Sequence, residues 1–408
     1  MSASGIKAYV AVTAAYWAFM LTDGALRMLV LLHFHTLGYS PVQLAYLFLL
    51  YEVMGIVTNL SAGWLAARFG LTSTLYAGLG LQIVALLALS MLDPGWQIAT
   101  SVVYVMLVQS LSGVAKDLAK MSSKSAVKLL APEEGQGLFR WVALLTGSKN
   151  AVKGVGFFLG AALLALVGFR PAVLAMAALL TLILIAVLVF MPPGLPGGVK
   201  GTKFSAVWPT DRNIRNLSLA RVFLFAARDS WFVVGIPVFF YAVLSDGTPE
   251  SARRAFFMIG TFMAVWIIFY GIIQANASKL LARSTTNLPN TIAANQRWVG
   301  LLTFIPAILT VALLLQPPGI VPVVVVGLLV FGGVFALNSA LHSYLVLAFS
   351  KSERVTMDVG FYYMANASGR LLGTFLSGVS YQLGGVSACL GVSAFLTALS
   401  WVSARRIR

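Results

Sequence analysis

Long apolar runs alternate with short breaks rich in Gly, Pro or charge along the whole chain. Each run reaches the roughly 20 residues that a membrane-crossing helix needs. The first six predicted spans are Ala8–Phe34, Val42–Ala67, Leu75–Leu92, Trp96–Ser122, Leu138–Gly168 and Pro171–Phe190. Six more follow at Asn213–Leu244, Ala252–Leu281, Ile292–Leu315, Ile320–Phe349, Val355–Gly384 and Val386–Arg405. The breaks carry recognisable turn chemistry. Ser40 is placed to cap the second helix, with Pro41 at its first position, and Asp93-Pro94-Gly95 and Pro317-Pro318-Gly319 read as turns.

Composition agrees. Of 408 residues, 59% are apolar and only 10% charged, too few charges to clothe a soluble fold of this size. The expected fold class is an all-α integral membrane protein, with twelve transmembrane helices in two six-helix pseudo-symmetric bundles. The stretch 192–212 is Pro/Gly/Lys-rich and lacks a spanning run, so it is read as a cytoplasmic linker between bundles at 1–191 and 213–408. A net charge of +16 points to cytoplasmic loops rather than to nucleic acid. One set of loops and ends holds fifteen Lys and Arg, among them Lys7, Lys124, Lys200, Arg283 and Arg406; the alternate set holds only Arg170, Arg253 and Arg254. Both termini are therefore expected in the cytoplasm. Cys389 is the single cysteine, which excludes an internal disulfide, and with three histidines a metal cage is not expected. No cofactor is expected.

The two halves resemble each other. Thr22-Asp23-Gly24 matches Arg228-Asp229-Ser230, Ser112-Gly113-Val114 matches Gly332-Gly333-Val334, and Gly156–Gly160 matches Thr374–Gly378. A common offset of a little over 200 residues supports a six-plus-six duplication.

A charge at bilayer depth costs about 2.5–3.5 kcal/mol on insertion scales, so ionisable residues inside spans carry the most information. The basic ones are Arg27, Lys116, Lys120, Lys149, Lys153, Arg221, Arg228 and Arg370; the acidic ones are Asp23, Glu52, Asp117, Asp229 and Asp358. Eight against five leaves an excess of three positive charges in the cavity they are expected to line. Many share helix faces: Asp23 with Arg27, Lys116 with Lys120, Lys149 with Lys153, and Arg221 with Arg228. Such an excess in low dielectric calls for an anion, for which Arg supplies a fork and Lys a point charge. Lys116, Lys149, Lys153, Arg221, Arg228 and Arg370 are the candidate anion-binding residues, with Arg27 a further contact. Asp23, Asp117, Asp229, Asp358 and Glu52 are candidates for coupling or gating, because a buried acid beside cations can change partner on protonation. Structural roles stand beside these. Lys120, Lys124 and Lys128 can snorkel to the interface, and Asp117 can neutralise its lysines. Arg228 can pair with Asp229, and Glu52 with a cation on a neighbouring helix. The almost wholly apolar spans three, six, nine and twelve read as lipid-facing scaffold. Glycines in spans five and eleven give small-residue faces.

Between spans two and three, Gly63-Trp-Leu-Ala-Ala-Arg68-Phe-Gly70 resembles the loop motif of the major facilitator superfamily, with Ala67 in place of the motif's Asp. Three further blocks are Ser112–Lys124, Trp141–Gly160 and Asp358–Arg370. With Tyr16–Arg27, they are similar to the ArsJ family of bacterial organoarsenical efflux permeases, and the similarity covers essentially the whole chain. That resemblance implies a monomeric, non-enzymatic exporter in the bacterial inner membrane. It would work with a glyceraldehyde-3-phosphate dehydrogenase that uses arsenate in place of phosphate. The implied substrate is 1-arseno-3-phosphoglycerate, a small multiply charged anion, and the implied outcome is arsenate resistance. A phosphate, arsenate or organophosphate carrier is the alternative; an enzyme acting on a lipid phosphate is a more distant one.

Overall fold

The computed structural model describes residues 3–130, 136–191, 209, 211–315, 318–350 and 355–408; for 3–9, 62–69, 71, 121, 124–130, 136–147 and 355–357 only the backbone is described. The described residues are helical almost throughout. The N-terminal helices are α1 (Ala3–Thr36), α2 (Pro41–Phe69), α3 (Leu71–Ser90), α4 (Ile98–Leu130), α5 (Gln136–Val167) and α6 (Phe169–Phe190). They are followed by α7 (Arg212–Phe232), α8 (Gly235–Leu244), α9 (Pro249–Leu280), α10 (Leu288–Leu315), α11 (Ile320–Phe349) and α12 (Val355–Ala404). Most of the expected linker, and the side chains of Gly63, Arg68, Lys124 and Lys128, lie outside the described residues.

Eleven stretches are long and apolar enough to cross a membrane. The last, Asp358–Ala404, runs 47 residues and bends at Gly384 and Gly385, whose φ/ψ values of −158/25 and 63/−157 are not helical. Counted as two arms, it gives the twelve spans read from the sequence. The seventh span differs from the continuous helix expected over Asn213–Leu244. It is interrupted after Phe232 and resumes at Gly235 as α8. The backbone N–H groups of Val234 and Gly235 at this break each donate to Ser377 Oγ at 3.1 Å, so one hydroxyl replaces lost helical partners.

Local chemistry sets the helix ends. Gly38, at φ 83, closes α1 with Gly38 N–H donating to the His35 carbonyl and Tyr39 N–H to the Phe34 carbonyl, a Schellman end. The next helix opens with a capping box: Gln43 N–H donates to Ser40 Oγ at 3.3 Å and Ser40 N–H to Gln43 Oε1 at 2.9 Å. Asp211 caps α7 by accepting from Asn213 N–H at 2.6 Å. Thr248 caps α9, followed by Pro249 at the first helical position. In the loop before α9, hydrogen bonds from Ser251 and Thr248 hold the exposed Asp246 carboxyl down at about 2.

The chain forms two compact units. One contains Met1–His33, Val57–Ser205 and Phe256–Ile268; the other contains Phe34–Ile56, Ala206–Ala255 and Phe269–Arg408. The helices α1, α2 and α9 are therefore divided between the units, α9 giving its middle to the first and both its ends to the second.

Within lipid there is no hydrophobic drive for helices to associate, so close packing must do it. Glycine supplies that closeness at matching places. In the first unit a Cβ at Gly24 would stand 2.6 Å from the Lys153 carbonyl oxygen, and Gly156 and Gly160 press on the α1 backbone at Leu21 and Ala25. In the second, a Cβ at Gly373 would stand 2.6 Å from the Ala226 carbonyl oxygen and 2.7 Å from Asp229 Cβ. So α1 meets α5, and α7 meets the first arm of α12, backbone to backbone. On α6 and α10, large apolar side chains such as Phe190 (76% exposed) and Leu315 (75%) face outward, as lipid-facing scaffold should.

A branched side chain at either contact must push the helices apart. Gly160→Val and Gly373→Val are each expected to destabilise the protein by about 1–3 kcal/mol, an overpacking cost. Gly80→Ala, at a glycine with open space around it, is expected to be near neutral. Thermal melting of the detergent-purified variants checks this.

Candidate functional site

The glycine contacts put opposite charges face to face. In the first unit Lys153 Nζ on α5 donates to Asp23 Oδ2 on α1 at 2.6 Å. Asp23 is buried, and Arg27, one turn further along α1, is buried as well. In the second unit the corresponding acid of α7, Asp229, faces Arg370 on α12, with Arg370 Nε 3.6 Å from Asp229 Oδ2. Each half of the chain thus sets an acid of its first span against a cation of its fifth, which is the duplication expressed in charge.

Arg370 also reaches Glu52 of α2, with Nη2 2.5 Å from Oε1. Glu52 is wholly buried, and this contact is the neighbouring-helix pairing left open by the sequence. Arg228 donates from Nε to Asp229 Oδ1 at 2.6 Å, and its Nη2 lies at the same distance. Two arginines and two acids are therefore joined around Asp229.

On α4, Asp117 is fully buried and well supplied. Lys120 Nζ donates to Oδ1 at 2.6 Å, while Thr58 Oγ1 and Asn59 Nδ2 donate to Oδ2 at 2.7 and 3.2 Å. The same Lys120 ammonium donates to Asn59 Oδ1 at 2.6 Å. This closed network spends Lys120 locally. Lys116, one turn earlier, is buried beside it. Lys149 is half-buried, and Asp358 is buried in the first turn of α12, where a carboxylate suits the helix dipole. Gly70, the last residue of the loop motif, precedes α3 at φ 84, a left-handed value that favours glycine.

Arg221 differs from Lys153, Lys120, Arg228 and Arg370, which all meet carboxylates. It is buried at 5% exposure, yet its partners among the described residues are neutral. Its Nε donates to Asn366 Oδ1 at 2.9 Å, and its Nη1 donates to Ser339 Oγ at 3.1 Å. The guanidinium carbon sits 4.0 Å from the Phe225 ring centroid and 5.0 Å from that of Tyr362. Tyr270 and Gln274 on α9 also reach Ser339 Oγ. On α11, Asn338 and His342 are fully buried, and their side-chain polar atoms find no hydrogen-bond partner among the described residues. His342 lies within electrostatic reach of Arg221. The interior here is polar and cationic, and no carboxylate is among the described partners of Arg221.

Sequence reasoning named Arg221 but passed over Tyr270, Gln274 and Asn366 as contacts, because they carry no charge. Their signal was present: Tyr270 and Gln274 are four apart in an otherwise apolar stretch, hence on one face.

Membrane-length helices with charges gathered in their interior are the build of a multi-pass membrane transporter. The chain belongs to the Major Facilitator Superfamily, which it matches over residues 10–340. Its fold is similar to that of a bacterial homologue of the iron transporter ferroportin in an inward-facing state, with a TM-score of 0.72, 15% identity and 98% of each chain covered. It is similar also to a POT family transporter in complex with a thioalcohol-conjugated peptide, with a TM-score of 0.76, 12% identity, and 97% of this chain and 94% of that one covered. A point mutant of the nucleoside transporter NupG gives a TM-score of 0.70 at 15% identity, covering 99% of this chain and 98% of that one. No protein of curated function is significantly similar in sequence.

Removing one member of a buried pair strands the other charge, at about 3–5 kcal/mol. Asp23→Ala is expected to destabilise by that order, and Asp23→Ala with Lys153→Met to recover most of it; a double-mutant melting cycle measures the coupling. His342→Leu replaces buried polar atoms lacking partners among the described residues with an apolar group, so its melting temperature is expected to match or exceed that of the wild type.

Proposed function

We propose that this transporter exports a small, multiply charged organic anion from the bacterial cytoplasm by alternating access, and that the anion is 1-arseno-3-phosphoglycerate. The observation that carries the anion reading is Arg221, a buried guanidinium whose hydrogen-bond partners are Asn366 and Ser339. A buried cation without a carboxylate is costly unless its ligand brings the negative charge. In the same reading, Lys116, Lys149 and Lys153 of the first unit, with Arg27, are cations the anion meets on its way, and Arg228 and Arg370 can exchange their acids for it. Asp23, Glu52, Asp117, Asp229 and Asp358 would set the resting charge, and any of them that protonates would link export to a proton. Arsenic enters through the resemblance of Ser112–Lys124, Trp141–Gly160 and Asp358–Arg370 to organoarsenical permeases. On this reading the protein sits in the inner membrane as a monomer with both termini cytoplasmic. The fifteen-to-three bias of basic residues between loop sets supports that orientation. An arsenate-using glyceraldehyde-3-phosphate dehydrogenase would supply the substrate. Arg221 favours a phosphate or organophosphate carrier equally well, so that remains the second reading.

The test is cell arsenic in arsenate-exposed bacteria lacking other arsenic exporters, with and without the dehydrogenase. The wild type is expected to lower cell arsenic only when the dehydrogenase is present. Arg221→Gln, at equal membrane abundance, is expected to lose at least about tenfold in export, the value of one charge-assisted contact. Lowered arsenic without the dehydrogenase would move the assignment to a simpler oxyanion, and no lowering in either strain would remove arsenic from it.

A further inference from the structure

Ser339 Oγ is the meeting point of three donors. Arg221 Nη1 approaches it at 3.1 Å, Gln274 Nε2 at 3.3 Å and the Tyr270 hydroxyl at 3.4 Å. A hydroxyl oxygen has two lone pairs to offer. Three donors share two acceptor positions; Arg221 has an ordinary distance, while those of Gln274 and Tyr270 lie beyond the usual range. The place is interior, with Ser339 at 0% exposure and Arg221 at 5%. It is also fixed. Asn366 Oδ1 accepts a hydrogen bond from Arg221 Nε–H, the Phe225 and Tyr362 rings hold the guanidinium, and Tyr270 and Gln274 project from one face of α9. Such an arrangement complements an oxygen with more negative charge than a serine hydroxyl carries.

We propose that Arg221, Gln274 and Tyr270 form the subsite for one tetrahedral oxyanion head, phosphate or arsenate, with Ser339 as the resident acceptor whose place an anion oxygen takes. This rests on the anion reading above and adds the atoms to it. Donors on three side chains from two helices surround one point. A tetrahedral head presents three terminal oxygens to them, and a carboxylate presents two. Gln274 and Tyr270 thereby become specificity residues of the site.

Calorimetric titration of the full-length protein in detergent tests this, with inorganic phosphate and 3-phosphoglycerate as probes and glycerate as the carboxylate control. The wild type is expected to bind both phosphates and to bind glycerate at least about tenfold more weakly. Ser339→Asp places a tethered carboxylate among the donors. It is expected to raise the melting temperature and weaken phosphate binding at least about tenfold, the worth of a charge-assisted contact. Gln274→Leu, folded by melting, is expected to lose about tenfold. Wild-type affinity in both Ser339→Asp and Gln274→Leu would overturn the subsite, and would leave the anion reading intact if Arg221→Gln still abolished binding. Glycerate binding as tightly as 3-phosphoglycerate would overturn the tetrahedral assignment. A wild-type protein that binds none of the probes would overturn the subsite and the anion reading together.

Discussion

A charge held at membrane depth must be met by an opposite charge, and the interior of each unit is organised around that demand. The penalty for leaving it unmet exceeds what most single packing contacts return. Lys153 meets Asp23, Lys120 meets Asp117, Arg228 meets Asp229 and Arg370 meets Glu52. Arg221, by contrast, meets amide, hydroxyl and aromatic groups. The pairs are what makes that contrast meaningful. Beside those four pairs, a guanidinium whose partners are neutral is where a substrate's charge fits.

Two of the charge contacts depend in turn on how near the helices come: Lys153 with Asp23, and the longer approach of Arg370 to Asp229. Side chains of ordinary size would hold α1 from α5, and α7 from α12, too far apart for either. Gly24, Gly156 and Gly160 remove that obstacle in one unit, and Gly369 and Gly373 remove it in the other. The same small faces suit helices that must shift against one another during transport. Four-residue spacing within helices and glycine contact between them thus act together: the first gathers charges on a face, and the second brings two faces within ion-pair range.

Much of the fold was legible in the sequence because membrane burial writes it plainly. Apolar runs of spanning length, and capping signals such as Ser40-Pro41-Val42-Gln43, give helices that end close to where they were expected. The interruption of the seventh span at Val233–Val234 was hidden, since its residues are as apolar as their neighbours and its support, Ser377, lies about 140 residues away. Part of the pairing among the buried charges was legible too: Arg228 with Asp229, Asp117 with a lysine of its own helix, and Glu52 with a cation of a neighbouring helix. That Asp23, Glu52, Asp229 and Arg370 lie at membrane depth follows from spacing. That Arg370 bridges towards both Glu52 and Asp229 needs the third dimension. Neutral partners such as Asn366, Tyr270 and Gln274 stayed out of sight, because a polar uncharged residue in a span is common and only its company makes it notable.

The central claim is that the anion crosses by way of Arg221. Everted membrane vesicles test it most directly, because export becomes uptake into the lumen. They would be supplied outside with the dehydrogenase, its oxidised nicotinamide cofactor, glyceraldehyde 3-phosphate and arsenate, and luminal arsenic would be followed over time. The account predicts accumulation that requires every one of these components and that falls to the empty-vesicle level for Arg221→Gln. Undiminished accumulation by Arg221→Gln vesicles would contradict it.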